Sequence, residues 1–197
     1  MLPSHLLARR RHLPAQAGLS MLDLVVGLAL AAVLCGLAAP PLQGMLSLYR
    51  TLAEAHELTQ LLLFARSEAI RRGARVTVCP SASIASEHPG CDGGSWDLGW
   101  IAFVDNADTA GNVPGVLDGT DQLLRIGAGR PTVRVETKAT YSAWLAFSPT
   151  GRPIGSTGLG NGTFCLLDGT SRRDLVIAVT GRVTVSPPMT FPTNATC

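Results

Sequence analysis

Asp23 is the residue of this sequence whose position most needs a chemical explanation. It is the only charged residue in residues 19–39, a run of 21 residues made mostly of Leu, Ala, Val and Gly. A helix of that length would measure about 31 Å, close to the hydrocarbon thickness of a bilayer. A carboxylate inside such a helix costs about 2.5–3.5 kcal/mol at the membrane centre and less near an end, so we expect Asp23 to have a partner.

A cut between Gly18 and Leu19 would create that partner. The new α-ammonium would lie four residues before Asp23, which is one helical turn, and the carboxylate could pair with the amine of its own chain or of a neighbouring chain. The basic residues Arg9–Arg11 precede the run, so the positive-inside rule places the N-terminus in the cytoplasm and the rest of the chain outside. An uncleaved membrane anchor is the simpler interpretation, but it explains neither Gly18 nor Asp23.

Four of the five cysteines follow the apolar run, at Cys79, Cys91, Cys165 and Cys197. In an oxidising compartment they can form two disulfides, with three possible pairings. We favour Cys79–Cys91, which would close a loop rich in Gly, Ser and Pro, and Cys165–Cys197, which would hold the C-terminus in place. A zinc site is the alternative, but the sequence lacks the short Cys-x₂₋₄-Cys pairs that such sites use. Cys35, inside the run, is expected to be a small apolar residue.

No set of residues in the sequence fits a known catalytic arrangement. Neither a G-x-S-x-G nor an H-E-x-x-H motif is present. The four histidines are scattered, two before the apolar run and two after it, at His5, His12, His56 and His88. We therefore expect neither enzyme activity nor a cofactor, and a membrane-anchored enzyme is the function class with the least support.

Residues 105–121 resemble a calcium-binding loop. The candidate ligands are the four carboxylates Asp105, Asp108, Asp118 and Asp121. The spacing departs from the EF-hand pattern, because Ala107 stands where a ligand is required. We therefore favour a solvated turn and expect no metal.

The elements that position these residues begin with a helix over residues 40–73. Leu and Ala recur there at spacings of three and four, which predicts an amphipathic helix packed on a core. The residues of this stripe are Leu48, Leu52, Ala55, Leu58, Leu62, Ala65 and Ala69. Pro40 and Pro41 are expected to interrupt the helix at its start, and Gly73 is expected to end it.

Residues 74–197 contain short runs rich in Val, Ile and Thr, separated by Gly, Pro, Asn and Asp. Such runs predict strands joined by tight turns. A chain in which a helix is followed by a series of strands is typical of the α+β class. We therefore expect a long N-terminal helix packed on an antiparallel β-sheet or sandwich.

The start of the chain resembles the class III signal of type IV pilins and pseudopilins. The stretch GLSMLDLVVGLALAAVL begins with the Gly that ends a basic leader in that family. The resemblance implies that prepilin peptidase cuts between Gly18 and Leu19 and methylates Leu19. That family has Glu at the fifth mature position, where this sequence has Asp23. The resemblance also implies that Asp23 acts in filament assembly.

Further motifs narrow the resemblance to the H-type minor pseudopilins of type II secretion and the FimT-like minor pilins. FARSEAIRRGARVTVC, WDLGWIAFVD, FSPTGR, GTFCL and VTGRVTV occur in the order found in that group. The resemblance implies a type IV pilin-like fold and a minor subunit at or near the filament tip that primes pilus assembly. A type II secretion pseudopilin and a DNA receptor are the alternatives. The implied partners are other minor and major pilins or pseudopilins, the prepilin peptidase, the inner membrane and DNA.

The implied organisation has four parts. Residues 1–18 are a cleaved leader, residues 19–39 a transmembrane and filament-core helix, residues 40–73 an amphipathic helix, and residues 74–197 a β-rich periplasmic domain. The chain would cross the inner membrane once, with a cytoplasmic N-terminus, before it enters the pilus or pseudopilus.

The C-terminal part is basic. Residues 122–197 carry eight basic residues and three acidic ones, whereas residues 76–121 carry seven acidic residues and no Lys or Arg. Some FimT-like pilins bind DNA through a C-terminal G-R-x-R motif. Gly181 and Arg182 match its first half, but Thr184 replaces the second Arg.

Three other arginines are candidate phosphate contacts, because phosphate binding depends on nearby charge more than on fixed spacing. They are Arg152, Arg172 and Arg173. The alternative is that these charges are solvated and protect strand edges from aggregation.

Overall fold

The computed structural model describes residues 20–192 and 196–197, except for the side chains of residues 37–42. The chain divides into two compact units, with the boundary between Pro40 and Pro41. Within the described residues the fold is α+β, with a helix followed by antiparallel strands. The predicted fold class is therefore confirmed.

Helix α1 has the bounds Met21–Arg72. We expected Pro40 and Pro41 to interrupt it, but the helix includes both residues. A proline removes one backbone hydrogen bond and crowds one carbonyl, and a helix of 52 residues can retain its other bonds. Among the described residues, no helix combines the length and apolarity needed to cross a membrane. The predicted span, residues 19–39, lies partly outside the described residues.

The second part of α1 buries the predicted stripe, starting at Ala55. Leu58, Leu62 and Ala69 are fully buried, as their spacing predicts. Leu48 is 39% exposed, so the stripe is shorter than expected at its N-terminal end. The helix ends at Gly73, whose φ of +62° allows the left-handed conformation common at this position.

The strands form two sheets, and all strand pairs in the described residues are antiparallel. The first sheet has the order β3-β2-β1-β5-β6, with β1 Val76–Pro80, β2 Gly99–Val104, β3 Gln122–Ala128, β5 Leu145–Phe147 and β6 Pro153–Gly155. The second has the order β10-β8-β7-β4, with β9 also paired to β8; its strands are β4 Arg134–Thr137, β7 Gly162–Asp168, β8 Ser171–Ile177, β9 Val183–Val185 and β10 Met189–Thr190.

One core combines the stripe of α1 with residues from both sheets. Trp100 and Phe147 of the first sheet and Phe164 of the second are fully or almost fully buried in it. The first sheet is also covered on its other face, where Ile101 and Phe103 belong to a second apolar cluster. Burial on both faces explains why β1 and β2 are mostly apolar and buried at every position, without an alternation of buried and exposed residues.

Helix α1 also carries a buried carboxylate, that of Glu54. Glu54 is fully buried, and neither of its Oε atoms accepts a hydrogen bond of good geometry. Its Oε2 lies 3.4 Å from Nε of Arg130, which also pairs with Glu57 at 3.5 Å. Burial raises the pKa of Glu54 to about 7, helped by the negative charges of Glu57 and Asp97 and opposed by Arg130.

The raised pKa of Glu54 makes folding stability depend on pH in a defined direction. The folded protein binds a proton at Glu54 between the ordinary value of 4.5 and about 7, so the free energy of unfolding falls as the pH rises through this range. We expect Glu54→Gln to remove this contribution and to stabilise the protein at pH 8 by up to about 3 kcal/mol. Denaturant unfolding at pH 6 and pH 8 measures the effect. Glu87→Gln, in an exposed loop, is the control, and the same pH dependence in Glu54→Gln and wild type would contradict the assignment.

Candidate functional site

Asp23 lies in the first turn of α1 and forms a reciprocal cap with Ser20. The backbone N–H of Ser20 donates to Oδ2 of Asp23 at 3.0 Å, and the N–H of Asp23 donates to Oγ of Ser20 at 3.3 Å. This is a capping box, which stabilises a helix N-terminus. Asp23 therefore has a structural role besides the charge pairing proposed from the sequence. The predicted cleavage residues, Gly18 and Leu19, lie outside the described residues.

The structure joins both predicted cysteine pairs, Cys79 to Cys91 and Cys165 to Cys197. Polar contacts support each bond. Next to Cys91, the carboxylate of Asp92 accepts backbone N–H groups of the same loop, and these bonds lower its pKa. The N–H of Cys197 donates to Oε2 of Glu136 at 2.9 Å, which fixes the last residue against β4.

Three of the four carboxylates of the calcium-like loop accept hydrogen bonds from protein donors. Asp105 is buried, accepts a hydrogen bond from Thr77 at 2.5 Å and pairs with Arg75 at 3.3 Å. Asp118 and Asp121 accept backbone N–H groups of the same segment. No group of three or more metal-binding side chains is found in the described parts of the chain.

Two turns of the same type lie against each other. Thr-Gly-Arg occurs twice in the sequence, within residues 148–152 and 178–182. In each segment the N–H of the first residue donates to the carbonyl of the last at 2.9 Å. The glycines, Gly151 and Gly181, have φ values of +75° and +79°. We call these two segments the twin turns.

Arg66 of α1 holds the twin turns together. Its Nε donates to the carbonyl of Gly151 at 3.0 Å, and its Nη2 donates to the carbonyl of Thr180 at 3.1 Å. A Cβ atom at Gly181 would lie 2.3 Å from the carbonyl oxygen of Gly151 and 2.6 Å from Nε of Arg66. The close approach of the two backbones therefore requires glycine at position 181.

The twin turns bring two of the four candidate arginines to neighbouring places on the surface. Arg152 and Arg182 are both exposed, and each directly follows one of the touching glycines. Arg66 was not among the residues selected from the sequence. The repeated Thr-Gly-Arg triplet was the available signal, because it marks two similar turns whose carbonyls one cation can bind.

Arg172 is occupied within the domain. It forms two hydrogen bonds to Asp174, at 2.7 and 3.1 Å, and donates to the carbonyl of Thr196 at 3.2 Å. Its guanidinium also lies 4.8 Å from the ring centroid of Phe191. Asp174 raises the pKa of Arg172 above its usual value. These contacts hold the C-terminal segment on β8, so the expected phosphate contact at Arg172 is not supported.

Arg173 and Thr184 each contact a backbone carbonyl outside the twin turns. Arg173 follows Arg172 on β8, so it points to the opposite face, where it donates to the carbonyl of Ser186 at 3.3 Å. Thr184, at the second Arg position of the motif, bonds to the carbonyl of Val176 at 3.4 Å. The four arginines therefore do not share one face, and Arg152 with Arg182 is the pair that the fold brings together.

A family model described as "type II transport protein GspH" matches residues 54–181. The match covers 128 of the 197 residues. The chain belongs to this family. Membership of the GspH family confirms the group identified from the sequence, the minor pseudopilins and FimT-like minor pilins. The matched segment ends at Gly181, so the GspH match contains Arg66 and Arg152 but not Arg182.

Two solved structures are similar to this GspH-family chain. One is the type IV minor pilin FimU of Pseudomonas aeruginosa, with 21% identity, a TM-score of 0.48, and coverage of 68% of this chain and 91% of that chain. The other is the minor pseudopilin EpsH of the Vibrio cholerae type 2 secretion system, with 11% identity, a TM-score of 0.46, and coverage of 70% and 96%. No curated protein matches the chain.

The contact between the twin turns predicts different costs for two alanine substitutions. Gly158 and Gly181 both have positive φ, but a Cβ at Gly158 meets no atom within 4 Å. We expect Gly158→Ala to cost about 1–2 kcal/mol of stability, from backbone strain alone. Gly181→Ala should cost about 1–3 kcal/mol more, because its Cβ overlaps the neighbouring turn. Denaturant unfolding of both variants measures the difference, and equal losses would show that the turns do not touch.

Proposed function

We propose that the protein is a minor structural subunit that acts in the assembly of a type IV pilus, and that it has no enzyme activity. The observation that carries this proposal is the GspH-family match over residues 54–181. The filament is joined through the N-terminal helix, and the β-rich domain sits at or near the filament tip, where it primes assembly.

The sequence supports the route by which the subunit reaches the filament. A basic leader ends at Gly18, and residues 19–39 follow as an apolar run. We propose that prepilin peptidase cuts after Gly18 and methylates Leu19, and that the run holds the chain in the inner membrane with its domain in the periplasm. The two disulfides agree with an oxidising compartment.

A pseudopilin of a type II secretion system is the second candidate. The description of the matching family, a type II transport protein, favours it. Both candidates are subunits of related filaments, and both need the same helix, the same processing and the same contacts with other pilins or pseudopilins. The genes next to this one would distinguish the two machines.

A DNA receptor on the filament is a third candidate, and the twin turns favour it. They place the exposed side chains of Arg152 and Arg182 on adjoining backbone segments. Two cations can contact phosphates without reading the bases, so binding would be weak and independent of sequence, with Kd of about 10⁻⁴–10⁻⁶ M.

Asp23 provides the test of the filament role. We expect Asp23→Asn to be inserted and cleaved to Leu19 but to be lost from filaments, because the amide keeps an oxygen for the cap with Ser20 and loses the charge that would pair with the new amine. Asp23→Glu, which restores the family residue, should assemble normally. Intact mass of the membrane-extracted protein measures cleavage, and immunoblots of sheared filaments measure incorporation.

Each result of the Asp23 experiment has a defined meaning. Normal incorporation of Asp23→Asn would assign Asp23 to helix capping alone and would remove the charge-pairing argument. A wild-type chain that still begins at Met1 in peptidase-competent cells would contradict the filament-subunit function itself.

A salt titration tests the DNA candidate. If the twin turns bind phosphates, the affinity for duplex DNA should fall with salt, and Arg152→Ala with Arg182→Ala should flatten the log–log slope by up to about two units. Lys138→Gln, which removes an exposed charge elsewhere, should flatten it less. Binding that is unchanged in the double variant would place a DNA site elsewhere, and no binding at low salt would exclude the receptor function.

A further inference from the structure

Strand β3 is the longest open edge of the two sheets, with seven residues. In the described part of the chain, β3 pairs with β2 alone, and no backbone hydrogen bond reaches its other side. The opposite edge of the same sheet, β6, has three residues and begins with Pro153, and the N–H of Gly155 donates to Leu159 within its own loop. An open edge presents N–H and C=O groups that another extended chain can bind.

The features that usually protect an edge strand are weak on β3. It contains neither Pro nor Lys, and its one charged residue, Arg125, turns toward α1, where its guanidinium lies 5.5 Å from the ring centroid of Phe64. Ile126 is 45% exposed. The pairing with β2 shifts register between Ala102 and Phe103 but is regular for residues 125–128. These four residues therefore form a regularly paired segment on which a further strand can align.

A cleft beside this edge provides a place for a side chain of an added strand. It lies between α1 and β3, has a volume of about 230 Å³, and is lined by polar groups of Glu57, Gln60 and Arg125. Trp100 forms part of its wall next to Gly127, where a Cβ atom would lie 1.9 Å from Nε1 of Trp100. In strand addition, the backbone edge gives affinity and such a pocket gives specificity.

We propose that β3 is a docking edge for an extended segment of another filament subunit. The segment carries an acidic side chain that enters the cleft opposite Arg125, flanked by apolar side chains on the face of Ile126. Arg125 is the only charge on β3, and Glu57, the acidic residue that lines the cleft, already pairs with Arg130 at 3.5 Å, so opposite charge on the added strand is favoured. A second copy of β3 aligned on the same residue would set two Arg125 side chains against each other, which disfavours self-pairing. The identity of the partner rests on the proposed function.

The experiment uses the full chain in detergent micelles and a defined probe, the peptide acetyl-STVEVTS-amide. Hydrogen exchange read by mass spectrometry should slow in residues 122–128 by at least about fivefold when the peptide is bound, because the added strand protects the outward N–H groups. The charge-reversed peptide acetyl-STVKVTS-amide should protect them less. In Arg125→Glu, the charge-reversed peptide should slow exchange more than the acidic peptide does. Loss of packing on Phe64 alone would not produce this reversal.

Two proline variants test the backbone part of the proposal. Neighbouring N–H groups on a strand point in opposite directions, so one of Arg125 and Ile126 bonds to β2 and the other faces the open edge. One of the two variants, Arg125→Pro or Ile126→Pro, should keep the wild-type Tm, because its N–H group faced outward. In that variant the peptide should no longer slow hydrogen exchange in residues 122–128.

The outcomes are separable from those of the filament test. No slowing in residues 122–128 at saturating peptide, or slowing that is equal for the two peptides, would overturn the docking edge. The docking edge would also be overturned if duplex DNA, and not the peptide, slowed exchange in these residues. The same holds if the peptide slowed exchange only in the twin turns. None of these results changes the expectation for Asp23, which lies in the other unit of the chain.

Discussion

The fold depends on burial of one stripe of α1, from Ala55 to Ala69. Three of its members are alanines, and each is fully buried. Small side chains at this contact let the strands of both sheets come close to the helix axis, while Leu58 and Leu62 fill the remaining space. Burial of apolar area stabilises a fold by about 25 cal/mol per Å², so this contact contributes directly to folding of the domain.

Apolar burial alone does not fix the connections between strands, and arginines do this instead. Arg66 binds the twin turns to α1, Arg130 binds the β3–β4 connection to Glu54 and Glu57, and Arg172 binds the C-terminal segment to β8. Each guanidinium offers several donors in a fixed plane, so one side chain can hold two acceptors at once. Burial of Glu54 without good hydrogen bonds is the cost of one of these links.

The proposed assembly region and the surfaces available for contacts belong to different units of the chain. The first unit carries Asp23 and the apolar run, through which we propose that the subunit joins a filament. The second is held by the helix contact, the arginines and two disulfides, so its loops and edges can differ without loss of the fold. The twin turns and β3 are two such surfaces, one cationic and one formed by backbone groups.

Local pattern was sufficient to predict several features of this protein. The α+β class, the stripe of α1 and the helix end at Gly73 follow from residue spacing, because helix and strand periodicity and left-handed glycines act over a few residues. The GspH family followed from an ordered set of short motifs, which the family match confirms. Both cysteine pairs joined in the structure were also the pairs favoured from the sequence, since one closes a short loop and the other holds the terminus.

Tertiary structure decided which charged residues act together. Arg172 and Arg173 are neighbours in the sequence but point to opposite faces of β8. Arg152 and Arg182 are 30 residues apart in the sequence, but each directly follows one of the touching glycines of the twin turns. Spacing along the chain could not show this, because the meeting of two distant backbones depends on how the sheets pack against α1. Within the described residues, the same packing leaves the outer side of β3 without a partner strand, since strand order is set by long-range pairing and not by the sequence of any single strand.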